Sequence, residues 1–194
     1  MNKLYLLLTL LLISTEVFPQ NAIEWDGVYE IKLSDFQSDA TKIGQTNLYS
    51  VQPSIGIGFS FNMTNAEFLF TKNFNSKVEN SFKRSASYII APDSIIAEDV
   101  VSFGRFEFDL SELYARKFRQ QLFENKGVLS SVNFFQPIFD KVNDEFAKRV
   151  SDAASLTDLG RNRNRLSDLH AQVKSEINEL SEFCQSCKRP NRKK

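Results

Sequence analysis

An α+β fold, with an N-terminal antiparallel β-sheet followed by a helical section of about three helices, is predicted by a change of period along the chain. Up to Asp109 apolar residues alternate two by two, as in strands; beyond it they recur every three or four residues, as in helices. A third observation concerns the compartment. MNKLYLLLTLLLI has a lysine at position 3 and then an almost purely apolar run from Leu4 to Ile13, the pattern of a secretory signal peptide.

That signal peptide is assigned to residues 1–20, its end falling between positions 18 and 22. The apolar run is about half the length that a spanning helix needs, so no transmembrane segment is expected after cleavage. No cysteine follows it to take a lipid. The chain is therefore expected to be exported, to the periplasm or the outside. The rest divides into a β-rich region, 21–108, a helical region, 109–187, and a basic tail, 188–194.

In the β-rich region WDGVYEIKL alternates Tyr29, Ile31 and Leu33 against Val28, Glu30 and Lys32, which predicts a half-buried strand. TNLYSVQ is a shorter run, and Pro53-Ser54 turns it into SIGIGFSFNM. There Ile55, Ile57, Phe59, Phe61 and Met63 share one face and Gly56, Gly58, Ser60 and Asn62 the other. AEFLFTKNF fits a strand or a short helical turn, and NSKVENSFKRSAS reads as a loop or weak helix. SYIIAPDSII contains a Pro-Asp turn, and EDVVSFGRFEFDL closes the section as a last strand. Such strands suit a curled sheet, a sandwich or a small barrel. An outer-membrane barrel would need many more strands of about ten residues. A strand packed beneath a crossing helix is the reading of SIGIGFSFNM that needs fewest assumptions.

In the helical region Asp109 and Glu112 have the spacing of a capping box, Leu110, Leu113, Tyr114, Phe118 and Leu122 form one face, and Gly127 marks the stop. A second helix begins near Pro137, ends near Ser155, and buries Ile138, Phe139, Val142, Phe146 and Val150. The third carries Leu166, Leu169, Val173, Ile177, Leu180 and Cys184 at spacings of three and four. This seam suits a helical hairpin, helices packed on the sheet, or a homodimer through 166–184.

Net charge is zero, but residues 21–110 hold 7 Lys+Arg against 12 Asp+Glu, and residues 111–194 hold 16 against 11. Two halves of opposite sign attracting each other in one fold account for this. Phe dominates the aromatic residues with 18 copies, beside five Tyr and one Trp, and supplies core side chains with no polar atom to satisfy.

Few residues carry recognisable chemistry. Cys184 and Cys187 are the only cysteines. They close a long helix, whereas a redox CxxC needs a helix N-terminus; Lys188 stands where haem attachment needs a histidine; and zinc would find only His170 as a further soft ligand. A local disulfide is expected, with a cross-link between copies as the alternative. His170, the only histidine, sits at the edge of an apolar stripe and is expected at the surface. Glu98 with Asp99, and Glu107 with Asp109, are the acid pairs a hydrolase could use. Arg105, Glu107 and Asp109 would share one face of a strand as a solvated, charge-paired edge. Arg161, Arg163 and Arg165 do not share a helix face, since a step of two turns about 200°. Lys188, Arg189, Arg192, Lys193 and Lys194 form a possible anion-binding tail, for an anionic surface or an acidic face of another envelope protein. The sequon Asn62-Met63-Thr64 falls inside a strand meant for the core. No motif calls for a cofactor, a metal or nucleic acid. The expectation is a non-enzymatic binding or structural protein of the cell envelope or extracellular space. A small-ligand-carrying β-barrel and a hydrolase using acidic residues are the alternatives.

Overall fold

The computed structural model describes residues 21–44, 46–60 and 62–188. One long helix organises them: α2, Ser94–Asn125, has strands on one side and two further helices on the other.

The strands form two three-stranded sheets and no closed barrel. In the first, β5 (Val78–Lys83) lies between β1 (Ala22–Glu24) and β4 (Ile55–Phe59), antiparallel to both. In the second, β6 (Tyr88–Ala91) lies antiparallel to β3 (Ser50–Gln52) and parallel to the two-residue β2 (Lys42–Ile43). The parallel pair departs from the all-antiparallel expectation. Without closure there is no lumen, and the ligand-carrying barrel is set aside.

SIGIGFSFNM behaves as the strand beneath a helix. Ile57 and Phe59 pack into the larger core cluster with Phe103, Phe106 and Phe118 of α2, while Ile55 joins a second cluster built on Phe82, Ile89 and Val101. Phe61 lies outside the described residues. After it, Thr64 caps the short helix α1, Asn65–Phe70, by accepting the Glu67 N–H, so AEFLF takes the helical option.

Three segments depart from the sequence reading. WDGVYEIKL is a loop rather than a strand: Asp26 Oδ1 accepts the N–H groups of Val28 and Tyr29 (2.8 and 2.7 Å), and Gly27 stands at φ +77°, so the chain turns where alternation suggested extension. NSKVENSFKRSAS holds β5, the centre of its sheet. Its inward face is Val78, Asn80 and Phe82, and buried Asn80 masks the alternation. EDVVSFGRFEFDL lies within α2. Asp93 caps that helix, accepting the Ile96 N–H at 2.9 Å, so the helical section begins at Ser94 and Asp109 and Glu112 are mid-helix residues, not a capping box. The apparent alternation has a physical source: α2 is covered on opposite sides. Phe106 faces the larger cluster and Phe108 the smaller one, and a helix with apolar residues on opposite faces shows no single stripe.

Helices α3, Gln136–Thr157, and α4, Arg163–Glu179, stand as expected, with Pro137 in the first turn of α3. Leu166, Val173 and Ile177 of α4 are buried within the larger cluster, so the seam offered to a second copy is covered by this chain's own helices. Cys184 is not part of that helix; it follows a 3-10 turn at Ser181–Phe183. The α3–α4 link passes through Asp158, Leu159 and Gly160, all with positive φ. Only glycine suits the last, because a Cβ there would lie 2.3 Å from the Asp99 carbonyl oxygen.

Candidate functional site

The polar residues of α2 are arranged in steps of three and four. Arg105, Asp109, Glu112, Arg116 and Arg119 follow one another along one side of the helix. The lower part of this stripe is closed. Glu112 Oε1 accepts from Arg116 Nε at 3.0 Å and from Arg119 at 2.8 Å, and all three side chains are buried. The arginines then donate to carbonyls at the end of α4 and just beyond it: Arg116 to Ile177 (2.9 Å), Arg119 to Phe183 (3.1 Å). Arg119 also donates to Val78 of β5 (2.9 Å). Cations at a helix C-terminus satisfy its orphan carbonyls and its dipole, so this set ties α2, α4 and the sheet together.

One turn earlier the stripe opens. Asp109 Oδ1 accepts from the indole Nε1 of Trp25 at 2.7 Å, and its Oδ2 lies 2.6 Å from His170 Nε2. Burial alone would raise the Asp109 carboxyl, but the hydrogen bonds from His170 and Trp25, with the charges of His170 and Lys174, hold it below its ordinary value. An ionised carboxylate only accepts, so Nε2 carries the proton and Nδ1 is left for another partner. The imidazole ring also stands edge-on to Phe106, with centroids 6.0 Å apart. His170 is thus a half-buried, acid-paired residue, where the sequence suggested a surface one.

This dyad borders a cavity of about 280 Å³ between loop 25–31, α2 and α4, lined by Trp25, Tyr29, Phe108, Arg105, Lys174 and Asn178 among others. The loop is fixed at both ends. Arg105 Nε donates to the Ile31 carbonyl at 2.6 Å, the Tyr29 hydroxyl donates to Asp35 at 2.8 Å, and Asp35 pairs with Arg84 at 3.0 Å. Gly27 lets the Trp25 ring fold back over the turn, and the Arg116 guanidinium lies 5.4 Å from that ring. Past Arg105 and His170 the cavity runs into a wider hollow of about 520 Å³ bordered by Glu98, Asp99, Arg163 and Ser167.

The acid pairs separate. Asp99 accepts from Arg163 (2.5 Å), and Glu98 stands 4.0 Å from Arg105. Arg105, Glu107 and Asp109 share no strand face, because all three are on α2. Two residues apart on a helix, Glu107 and Asp109 point about 200° apart and cannot flank one bond. Glu107 is pushed up to about 7 by burial, and among the described residues it has no hydrogen-bond or ion-pair partner. Arg161 binds Asp158 and the Tyr49 hydroxyl (2.8 and 3.0 Å), so two of the three alternating arginines are engaged. The described residues hold no cluster of three potential metal ligands.

Cys184 and Cys187 stand at disulfide distance, 2.20 Å between sulfurs, the local clip the spacing suggested. The Cys187 carbonyl accepts from Asn73 and Asn75 (3.3 and 3.2 Å), which anchors the clip beside the segment after α1. Of the basic tail, Lys188 is exposed, while Arg189, Arg192, Lys193 and Lys194 lie outside the described residues, as does the proposed signal peptide, residues 1–20. No helix among the described residues is long and apolar enough to cross a membrane.

Sequence reasoning missed Trp25 and His170 as partners of Asp109, because they meet it across 84 and 61 positions. The one signal available was the three-and-four spacing of the charged residues from Arg105 to Arg119, legible only once the helix is carried back to Ser94. The chain matches no protein-family model, no curated protein and no solved structure.

Proposed function

We infer that this chain is an exported, non-enzymatic binding protein whose cleft beside Trp25, Asp109 and His170 receives a small polar molecule bearing an anionic group. The observation that carries the reading is the convergence of an indole, an acid-paired imidazole and Lys174 on one cavity. Lys174 is exposed and forms no ion pair among the described residues. Oriented polar groups fix a ligand in a small-molecule site, and this cavity presents several beside the apolar surfaces of Trp25 and Phe108. The signal-peptide pattern at the N-terminus supports export.

Binding is favoured over hydrolysis by what surrounds the dyad. A nucleophile would have to stand within hydrogen-bond reach of His170 Nδ1, and among the described residues no hydroxyl or thiol makes that bond. Asp109 holds the ring through Nε2, an orienting contact. Trp25 is the only tryptophan, so its emission reports on the cleft directly. Titration with small carboxylates and phosphates should give a saturable change in that emission for at least one of them, and Lys174→Gln should weaken it at least about tenfold, with only the small loss of stability that follows from removing its attraction for Asp109. A panel in which no compound shifts the emission, together with a native mass spectrum free of any co-purified molecule, would remove the reading.

A further inference from the structure

We propose that the ligand of the cleft is a sugar acid, with its carboxylate on Lys174, one hydroxyl donating to Nδ1 of His170, and its further hydroxyls on the polar side chains of the adjoining hollow. This deepens the reading of the cleft as a site for a small molecule with an anionic group, and rests on it.

The two hollows form one groove. Both are lined by Glu30, Arg105, His170 and Lys174, and α2 and α4 each extend a polar stripe along the pair. On α2 the stripe is Glu98, Ser102, Arg105 and Asp109; on α4 it is Ser167, His170, Lys174 and Asn178. Steps of three and four keep each set on one face, and at the rise of a helix 98–109 and 167–178 each extend about 16 Å. A lone carboxylate or phosphate is far shorter, so the ligand that fills the groove carries other polar groups as well.

Hydrogen-bonding pattern, more than charge, selects those groups. In the smaller cavity Arg105 and Lys174 are balanced by Glu30 and Asp109. Asp109 is spent on Trp25 and His170, while Arg105 donates to the Ile31 carbonyl and lies 4.0 Å from Glu98. The Lys174 ammonium and the Glu30 carboxylate are exposed. His170 Nδ1 makes no hydrogen bond among the described residues and is not sealed from solvent. With the Nε2 proton directed at Asp109, the neutral ring offers Nδ1 as an acceptor only. A carboxylate oxygen would face its lone pair, whereas a hydroxyl donates to it. A cation and an acceptor one helical turn apart on α4, with a second acceptor on Glu30, thus match an anion and hydroxyls on the same molecule. Ser102 donates to the Glu98 carbonyl (2.9 Å) and keeps lone pairs to accept with, and Ser167 is exposed in the larger hollow. Trp25 and Phe108 offer an apolar wall to the C–H face of a ring. A carboxylate carries one charge where a phosphate carries nearly two, and a single ammonium beside Glu30 suits the smaller charge.

Four probes separate these features: galacturonate, galactose, cyclohexanecarboxylate and galactose phosphate. Binding is read by Trp25 emission and by calorimetry at pH 8, above the usual range of an imidazole. Galacturonate should bind at least about tenfold more tightly than each of the others, since a site built to pair a hydroxyl rejects the analogue lacking it. His170→Gln keeps a donor for Asp109 and removes Nδ1. It should cost galacturonate at least about tenfold and leave cyclohexanecarboxylate unchanged, a split that a merely structural role would not produce. A galacturonate trimer that binds more tightly than the monomer assigns the acid to a polysaccharide; equal or weaker binding assigns it to the free sugar acid. Cyclohexanecarboxylate or galactose phosphate binding as tightly as galacturonate overturns the proposal and leaves the cleft as an anion site. So does galacturonate that fails to bind where other small carboxylates succeed, or an equal loss of both acids in His170→Gln. Galactose binding as tightly as galacturonate overturns it by removing the carboxylate from recognition, and no binding by any small anion removes the reading of the cleft along with it.

Discussion

Helix α2 carries two polar clusters one turn apart, and they have opposite fates. Glu112, Arg116 and Arg119 are buried, and their charges are answered by one another and by carbonyls from three elements. Asp109 and His170 keep about a fifth of their side-chain surface in contact with solvent, and a cavity lies against them. A buried ion set whose charges are paired, with only Arg119 Nε left without a hydrogen bond, specifies which elements meet; a half-open one, with a ring nitrogen unspent, can meet a ligand. Position along one helix thus separates architecture from site.

Removing the centre of the closed cluster should produce the largest effect. Glu112→Ala leaves two buried guanidinium groups without their counter-charge, and should destabilise the fold by about 3–5 kcal/mol, the usual cost of breaking a buried ion pair by deleting one partner. Chemical denaturation measures it, and a loss under about 1 kcal/mol would place this cluster with the open one. Phe118→Ala, at a fully buried apolar position of the same helix, is the neutral yardstick at about 3–5 kcal/mol. Phe146 of α3 is only partly buried against Tyr114, so its alanine variant should cost less.

Glu107 sharpens the comparison because it is an acid of the same helix with neither kind of partner. Its carboxyl is raised to about 7 from 4.5 by burial. The folded state therefore holds this proton more tightly than the unfolded state, and stability falls as pH rises from about 4.5 to 7 and stays lowered above. Glu107→Gln removes that penalty. The variant should be more stable than the parent by about 2–3 kcal/mol at pH 8 and equal to it at pH 4. An equal effect at both values would mean that packing, and not the charge, distinguishes the two side chains.

The helical half was legible where a helix has one buried face and illegible where it has two. α3 and α4 present a stripe to α2 and polar residues outward, so Val142, Leu166 and Val173 are found by spacing alone. The first part of α2 is enclosed by sheet and helices together, and Val100, Val101, Phe106 and Phe108 then look like a strand. On the β side, β4 was legible because its outward positions are glycines. β5 was not, because Asn80 is buried facing Ser111 (2.8 Å) and breaks the apolar face. The site was hidden for the same reason as α2: Asp109 has meaning only at helical spacing from Arg105 and Glu112, and Trp25 reaches it through a loop whose turn rests on a single aspartate.

The smallest effect separates the clusters by pH. Asp109 keeps its lowered value because the hydrogen bonds from His170 and Trp25 and the nearby cations favour the ionised form more than burial disfavours it. Its contribution is therefore present above the carboxyl's unfolded value near 4 and is lost as pH falls through the folded one. Asp109→Asn keeps an acceptor for the Trp25 indole but has no charge to offer His170. At pH 7 it should cost about 1.5–2 kcal/mol, the lower part of the range for a hydrogen bond to a charged group because the pair is half-buried, and the parent and variant curves should converge below pH 4. Trp25 emission should change in the variant at pH 7, whereas Glu112→Ala is read in global unfolding. A cost at pH 7 that persists undiminished at pH 3 would show that Asp109 acts by shape and not by charge. It would then belong with the architectural residues, and the cleft would lose the oriented imidazole on which the proposed binding rests.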